Sequence, residues 1–202
     1  VALIAPIAAD RVLESLIEGN LRFRRGAPRL VRHAADRRRS LLRGQSPSAI
    51  VLSCSDSRVP PELVFDQGLG DLFVIRTAGH ILDVAAIASI DYAVIHLETP
   101  LLLVLAHSGC GAVSMALFGG ASTPAERAVA EAIAPAIVTV SQDPDHPGAL
   151  VDHVARAHAL RTAAALPALS DTIAARIAAG RLVIRAAFYD LASGAVAALA
   201  SA

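Results

Sequence analysis

Residues 49–54 read AIVLSC, and residues 101–110 read LLLVLAHSGC. Each stretch opens on a continuous apolar run and ends in residues that can do chemistry. A short run with no polar alternation is the pattern of a strand covered on both faces, as in parallel sheets. Leu72-Phe73-Val74-Ile75 and Leu182-Val183-Ile184 are two more such runs. Helical patterns over residues 85–97, 111–118, 126–140, 149–166 and 170–179 separate them. Upstream, Val12, Leu13, Leu16, Ile17 and Leu21 recur at helical spacing, which predicts a helix over 10–25 with Asp10 as its N-cap and Gly26-Ala27-Pro28 as its stop. A shorter helix is expected over 36–43. Strands that alternate with helices predict an α/β fold, a mainly parallel sheet flanked by helices.

Sites in such sheets lie beyond the carboxyl ends of the strands. Those positions hold Cys54-Ser55-Asp56-Ser57-Arg58 and His107-Ser108-Gly109-Cys110. If the two strands are neighbours, Cys54, His107 and Cys110 meet. Two thiolates and an imidazole make a zinc ligand set, and three protein ligands leave a fourth position open, as catalytic zinc requires. Either cysteine alone reads as a small buried hydrophobe. In an extended segment, residues 54, 56 and 58 share a side. Asp56 can therefore be a fourth ligand, or turn away to pair with Arg58, whose guanidinium can grip a carboxylate through two bonds. Asp66-Gln67-Gly68-Leu69-Gly70 reads as a turn; without a following G-K-[ST] it is not a phosphate loop.

Composition narrows the classes. The 202 residues fit one domain. A hydrophobic content of 54% against 18% charged excludes a disordered chain. Basic and acidic residues number 18 each, so no basic surface is implied and nucleic acid is not an expected partner, despite Arg37-Arg38-Arg39. The longest apolar runs fall far short of the ~18 residues of a membrane span, so no membrane partner is expected. The mean hydropathy of +0.54 leaves surplus apolar surface of the kind a subunit interface buries. With only two cysteines there is no disulfide scaffold. Thiols of this kind suit the cytoplasm, although an exported or membrane-fused parent chain stays open. Residues 1–9, VALIAPIAA, are expected to be a tail on a single catalytic domain spanning 1–202. Among the histidines, His33, His96, His146, His153 and His158 read as exposed or satisfied helix residues.

The stretches CSDSRVPPELVFDQGLGDLFVIRTAGH (54–80), HSGCGAV (107–113) and GRLVIRAAFYDLASG (180–194) closely resemble the β-class carbonic anhydrases. The resemblance runs from about Leu13 to Val196, and its paired motifs C-x-D-x-R and H-x-x-C are highly specific together. It implies one zinc per chain on Cys54, His107 and Cys110, with Asp56 and Arg58 as the catalytic dyad and Asp56 able to act as fourth ligand in a closed state. Gln45 and the backbone N–H of Gly111 are implied to face the substrate. Phe73, Ala78 and Tyr92 are implied to line a narrow apolar CO₂ pocket, partly from a neighbouring subunit. The activity implied is reversible hydration of CO₂ to bicarbonate and a proton, by hydroxide generated on zinc.

Relatives are dimers or assemblies of dimers. A homodimer or tetramer with a shared pocket is therefore expected, its N-terminal helix packing on a partner subunit. The chain departs from the family at His80, where many relatives have asparagine, and at Ala106, where glycine usually precedes the ligand histidine. Two other readings remain: hydrolysis of another linear heterocumulene, CS₂ or COS, and a non-enzymatic zinc-binding domain of a longer protein. The intact Asp56–Arg58 pair argues against the second.

Overall fold

A computed structural model describes residues 4–29, 35–140 and 147–200. His33 and His146 lie outside the described residues. Five strands form one sheet: β1 (Ala49–Cys54), β2 (Leu72–Thr77), β3 (Leu101–His107), β4 (Val183–Tyr189) and β5 (Val196–Leu199). Their order is β2-β1-β3-β4-β5. The first four are mutually parallel, and β5 returns antiparallel to β4 as the second arm of a hairpin. β1 and β3 are neighbours, as the two opening stretches require, and both are buried along their whole length. Ser53 pairs with Leu105, so the two strands end nearly level.

The side chains of β1 and β3 alternate between two cores with the period of two that a pleated strand imposes. Ile50, Leu52, Leu102 and Val104 face one way. There they meet α4 (Val84–His96), α6 (Pro124–Val140), α7 (Pro147–Leu169) and α8 (Asp171–Ala178). Val51, Leu101, Leu103 and Leu105 face the other way, onto Leu16 of α1 (Ile4–Arg24) and onto Val64 and Phe65 at the end of α3 (Pro61–Val64). Remaining helices are α2 (Ala35–Ser40), continued by a 3₁₀ turn at Leu41–Arg43, and α5 (Gly111–Phe118). Caps appear where the sequence supplies them: Asp83 accepts from the Ala86 N–H to open α4, and Ser170 accepts from the Ile173 N–H to open α8.

Several boundaries differ from expectation. The N-terminal helix begins at Ile4 and not at Asp10, so residues 4–9 are helical, and Ala9 is fully buried. The strands at 49, 72 and 101 run two residues past their apolar runs, because the ladder continues through Ser53-Cys54, Arg76-Thr77 and Ala106-His107. The short helix α3, opened by Pro61 at its first position, has no apolar period long enough to announce it. Asn20 ties α1 to its own chain: its amide donates to the carbonyls of Val64 (3.1 Å) and Gly194 (2.8 Å) and accepts from the Val196 N–H (3.0 Å). Residues 66–70 form the expected turn into β2, with buried Asp66 taking hydrogen bonds from Arg22 and from the backbone of Arg29.

Candidate metal centre

Three chain segments deliver the donors. Cys54 is the last residue of β1, His107 the last of β3, and Cys110 the N-cap of α5. All three are buried, and their ligand atoms lie within 4.8 Å of one another. The His107 ring is already oriented. Its Nδ1 lies 2.9 Å from the Ser108 carbonyl, which can only accept, so Nδ1 carries the proton and Nε2 presents its lone pair. That Nε2 is buried and has no hydrogen-bond partner among the described residues. An orphaned acceptor between two thiols is costly in a protein interior and natural in a metal site.

Both cysteines are free thiols. A hydrogen bond from Cys110 brings the Cys54 thiol down to about 4, and the same bond, with burial, pushes Cys110 up. Two sulfurs this close to each other and to an imidazole suit a soft divalent cation. The Gly79 N–H adds a hydrogen bond to Cys54 Sγ at 3.3 Å.

Asp56 stands beside this cluster, not in it. Arg58 grips it through both oxygens, Nε to Oδ1 at 2.9 Å and Nη2 to Oδ2 at 2.7 Å, and the Arg58 backbone N–H adds a third bond at 2.9 Å. The guanidinium holds the Asp56 carboxyl well below the usual carboxylate range, so it is ionised. Asp56 Oδ2 lies 4.0 Å from His107 Nε2. Arg76, on the edge strand, fixes the backbone beneath by donating to the carbonyls of Cys54 (3.0 Å) and Asp56 (2.5 Å).

Cys54, His107, Cys110, Asp56 and Arg58 therefore converge, and Gly111 follows directly as the first residue of α5. Ala78 is exposed at the start of a 3₁₀ turn, Ala78–His80. Phe73 and Tyr92 form a separate stacked pair, with ring centroids 6.2 Å apart, where β2 meets α4. Gln45 is exposed ahead of β1, and no hydrogen bond joins it to the cluster among the described residues. Ala106 is a fully buried residue inside β3 and not among the positive-φ positions, so glycine is not needed there. His96 and His153 are exposed.

Sequence reading missed Asp152, Gly79, Arg76 and the use of His158. Asp152 accepts from the Gly109 N–H at 2.8 Å, and His158 Nε2 lies 3.1 Å from the Gly79 carbonyl. Both sit in a long helix whose periodicity explains them as ordinary helix residues, and their partners are backbone atoms, which leave no mark in a sequence.

The family described as "Carbonic anhydrase" matches residues 49–196. Carbonic anhydrase 2 of Mycobacterium tuberculosis is 42% identical over 193 residues, covering 94% of this chain and 90% of that protein. The carbonic anhydrase of Mycolicibacterium smegmatis is 40% identical over 195 residues, covering 95% and 92%. Among solved structures, one of two tetrameric β-carbonic anhydrases from the ascomycete Sordaria macrospora superposes with a TM-score of 0.76 at 25% identity, covering 81% of this chain and 85% of that one.

Proposed function

The chain belongs to the β-class carbonic anhydrases and hydrates CO₂ to bicarbonate, and we propose that it does so at a zinc ion held by Cys54, His107 and Cys110. The donor chemistry supports zinc: two thiolates and an oriented imidazole are a soft, tetrahedral set with one position left over. Zinc there would supply Lewis acidity, bringing a coordinated water down to a pKa of about 7.

The chain's residues do the rest. Asp56, kept ionised and oriented by Arg58, accepts a hydrogen bond from the attacking oxygen and so turns a lone pair toward the carbon of CO₂. The N–H of Gly111 and the Gln45 amide serve as donors to substrate oxygen. Phe73, Ala78 and Tyr92 keep water away from CO₂. Asp56 would reach the metal as a fourth ligand in a closed state by giving up its bonds to Arg58, and those bonds support the open form as the active one.

Phe73, Tyr92 and Gln45 become pocket residues through assembly. We assign a homodimer or a tetramer, with the pocket closed between copies. β2 is an edge strand, and α4 beside it exposes Val84, Tyr92 and Ile95. On α1, Leu13 and Ile17 are half-buried and Leu21 is exposed, an apolar stripe for a partner subunit. No described helix is long and apolar enough to cross a membrane. Two free thiols fit a reducing compartment, which we take to be the cytoplasm.

The observation that carries the zinc assignment is the buried, unpartnered Nε2 of His107 set between two thiols. Stopped-flow CO₂ hydration on protein of measured metal content tests it. One zinc per chain with rapid hydration is expected, and activity lost on chelation should return with Zn²⁺. Full hydration by metal-free protein would overturn the assignment.

A further inference from the structure

The zinc reading gives α7 no task, yet this helix bonds to both loops that shape the donor set. Gly109 sits inside the turn that spaces His107 from Cys110. Its φ is +58°, and a Cβ there would meet nothing within 4 Å, so glycine is needed for the turn itself and not for room. Asp152 takes its N–H at 2.8 Å. The Gly109 carbonyl points the other way and accepts from Arg58 Nη2 at 3.4 Å. One residue is thus tied to α7 on one side and to the dyad on the other.

Six positions along α7, His158 meets the second loop. A carbonyl only accepts, so His158 Nε2–H donates to Gly79 O at 3.1 Å, and Gly79 N–H donates to Cys54 Sγ at 3.3 Å. Gly79 is confined as well. Its φ is +62°, and a Cβ would lie 3.0 Å from Ile133 Cδ1 and 3.1 Å from Ala112 Cβ. The His158 bond is buried, and the His80 ring packs over it with centroids 4.6 Å apart. Both ring nitrogens of His80 are buried and unpartnered among the described residues.

We propose that α7 is the positioning element of the metal centre. Asp152 sets the turn that spaces His107 and Cys110, and His158 sets the peptide that donates to the Cys54 sulfur. The inference rests on the zinc reading and adds two positioning residues to it. An N–H···S bond lowers the charge a thiolate pushes onto its metal, so turning the Gly79 peptide changes the metal's electronic environment without removing a ligand. Outer contacts of this kind change metal affinity by about 10–100-fold when removed.

Cobalt in place of zinc reads this directly. Wild type, D152A, D152N, H158A and H158Q are loaded with Co²⁺, and three quantities are followed: the thiolate-to-cobalt charge-transfer and visible bands, the rate of metal release to a chelator, and kcat against KM for CO₂ with zinc. D152N keeps an oxygen acceptor, and H158Q keeps a donor near the Nε2 position. We expect D152A and H158A to shift the bands, to release metal about 10–100-fold faster, and to lose kcat more than KM, with D152N and H158Q close to wild type. If H158A does not fold, H158N, too short to reach Gly79, carries the same expectation. Wild-type bands and release rates in the alanine variants, however far their melting temperatures fall, would overturn the inference. So would D152N and H158Q failing as badly as the alanines. A wild-type protein without thiolate–cobalt bands would instead sink the zinc reading, and the positioning claim with it.

Discussion

Two halves of the site are built in opposite ways. The metal half sits at the ends of β1 and β3, the two most buried strands, and the chain supplies its ligands, its dyad and its outer hydrogen bonds. The apolar half lies along β2 and α4, where Tyr92 is 48% exposed, Ile95 42% and Val84 85%. Tyr92, the proposed pocket residue among them, faces solvent in the single chain. On the function proposed above, the chemistry is assembled within one chain, whereas exclusion of water from CO₂ needs a second copy. Folding alone should therefore give a metal site, and assembly should give a fast enzyme.

The largest expected effect comes from the metal half. Cys110→Ser exchanges a thiolate for a hydroxyl that does not ionise, so zinc should be lost and hydration should fall to background in a single metal-and-rate assay. A serine variant with full zinc and wild-type turnover would break the comparison at its root. Next comes the dyad. Asp56→Asn and Arg58→Ala should keep one zinc per chain and lose about 10²–10³-fold in kcat, since they remove orientation and not metal. Equal loss of zinc in these variants would show that the dyad belongs to the binding site.

The apolar half should respond more weakly and through assembly. Tyr92→Glu places a charge on the exposed α4 face. It should shift sedimentation toward monomer, cut activity by about tenfold or more, and leave zinc content unchanged, because a buried unpaired charge at an interface costs several kcal/mol. An active monomer would refute the shared pocket.

The smallest effect concerns acid stability. Burial brings His158 down to about 4, with the nearby Arg161 adding to the shift, and burial lowers His80 as well. Both are neutral when folded, and an unfolded histidine titrates near about 6.5. Between those values the unfolded chain binds more protons, so the stability they protect is whole above about pH 6.5 and falls as pH drops toward 4. Thermal unfolding of wild type should weaken more between pH 7 and 5 than that of His158→Gln. Parallel loss in both would remove His158 as the cause.

How much of this the sequence discloses follows the same division. Period and run length locate β1, β3 and the helices, and the C-x-D-x-R and H-x-x-C spacings point to the Cys54–His107–Cys110 cluster and the Asp56–Arg58 pair, because side-chain identity is what a sequence records. α3 escapes, since four residues hold little more than one helical turn and carry no period. Asp152, Arg76 and His158 escape because each acts on a backbone atom brought near by the fold. His80 is visible as a departure from the family, but its packing against His158 is a ring contact that no spacing predicts.

Zinc K-edge absorption on the purified assembly tests the donor set without recourse to activity. Two sulfur neighbours at about 2.3 Å and two lighter neighbours at about 2.0–2.1 Å are expected. A shell with one sulfur or none, or with four, would contradict a site made of Cys54, His107 and Cys110.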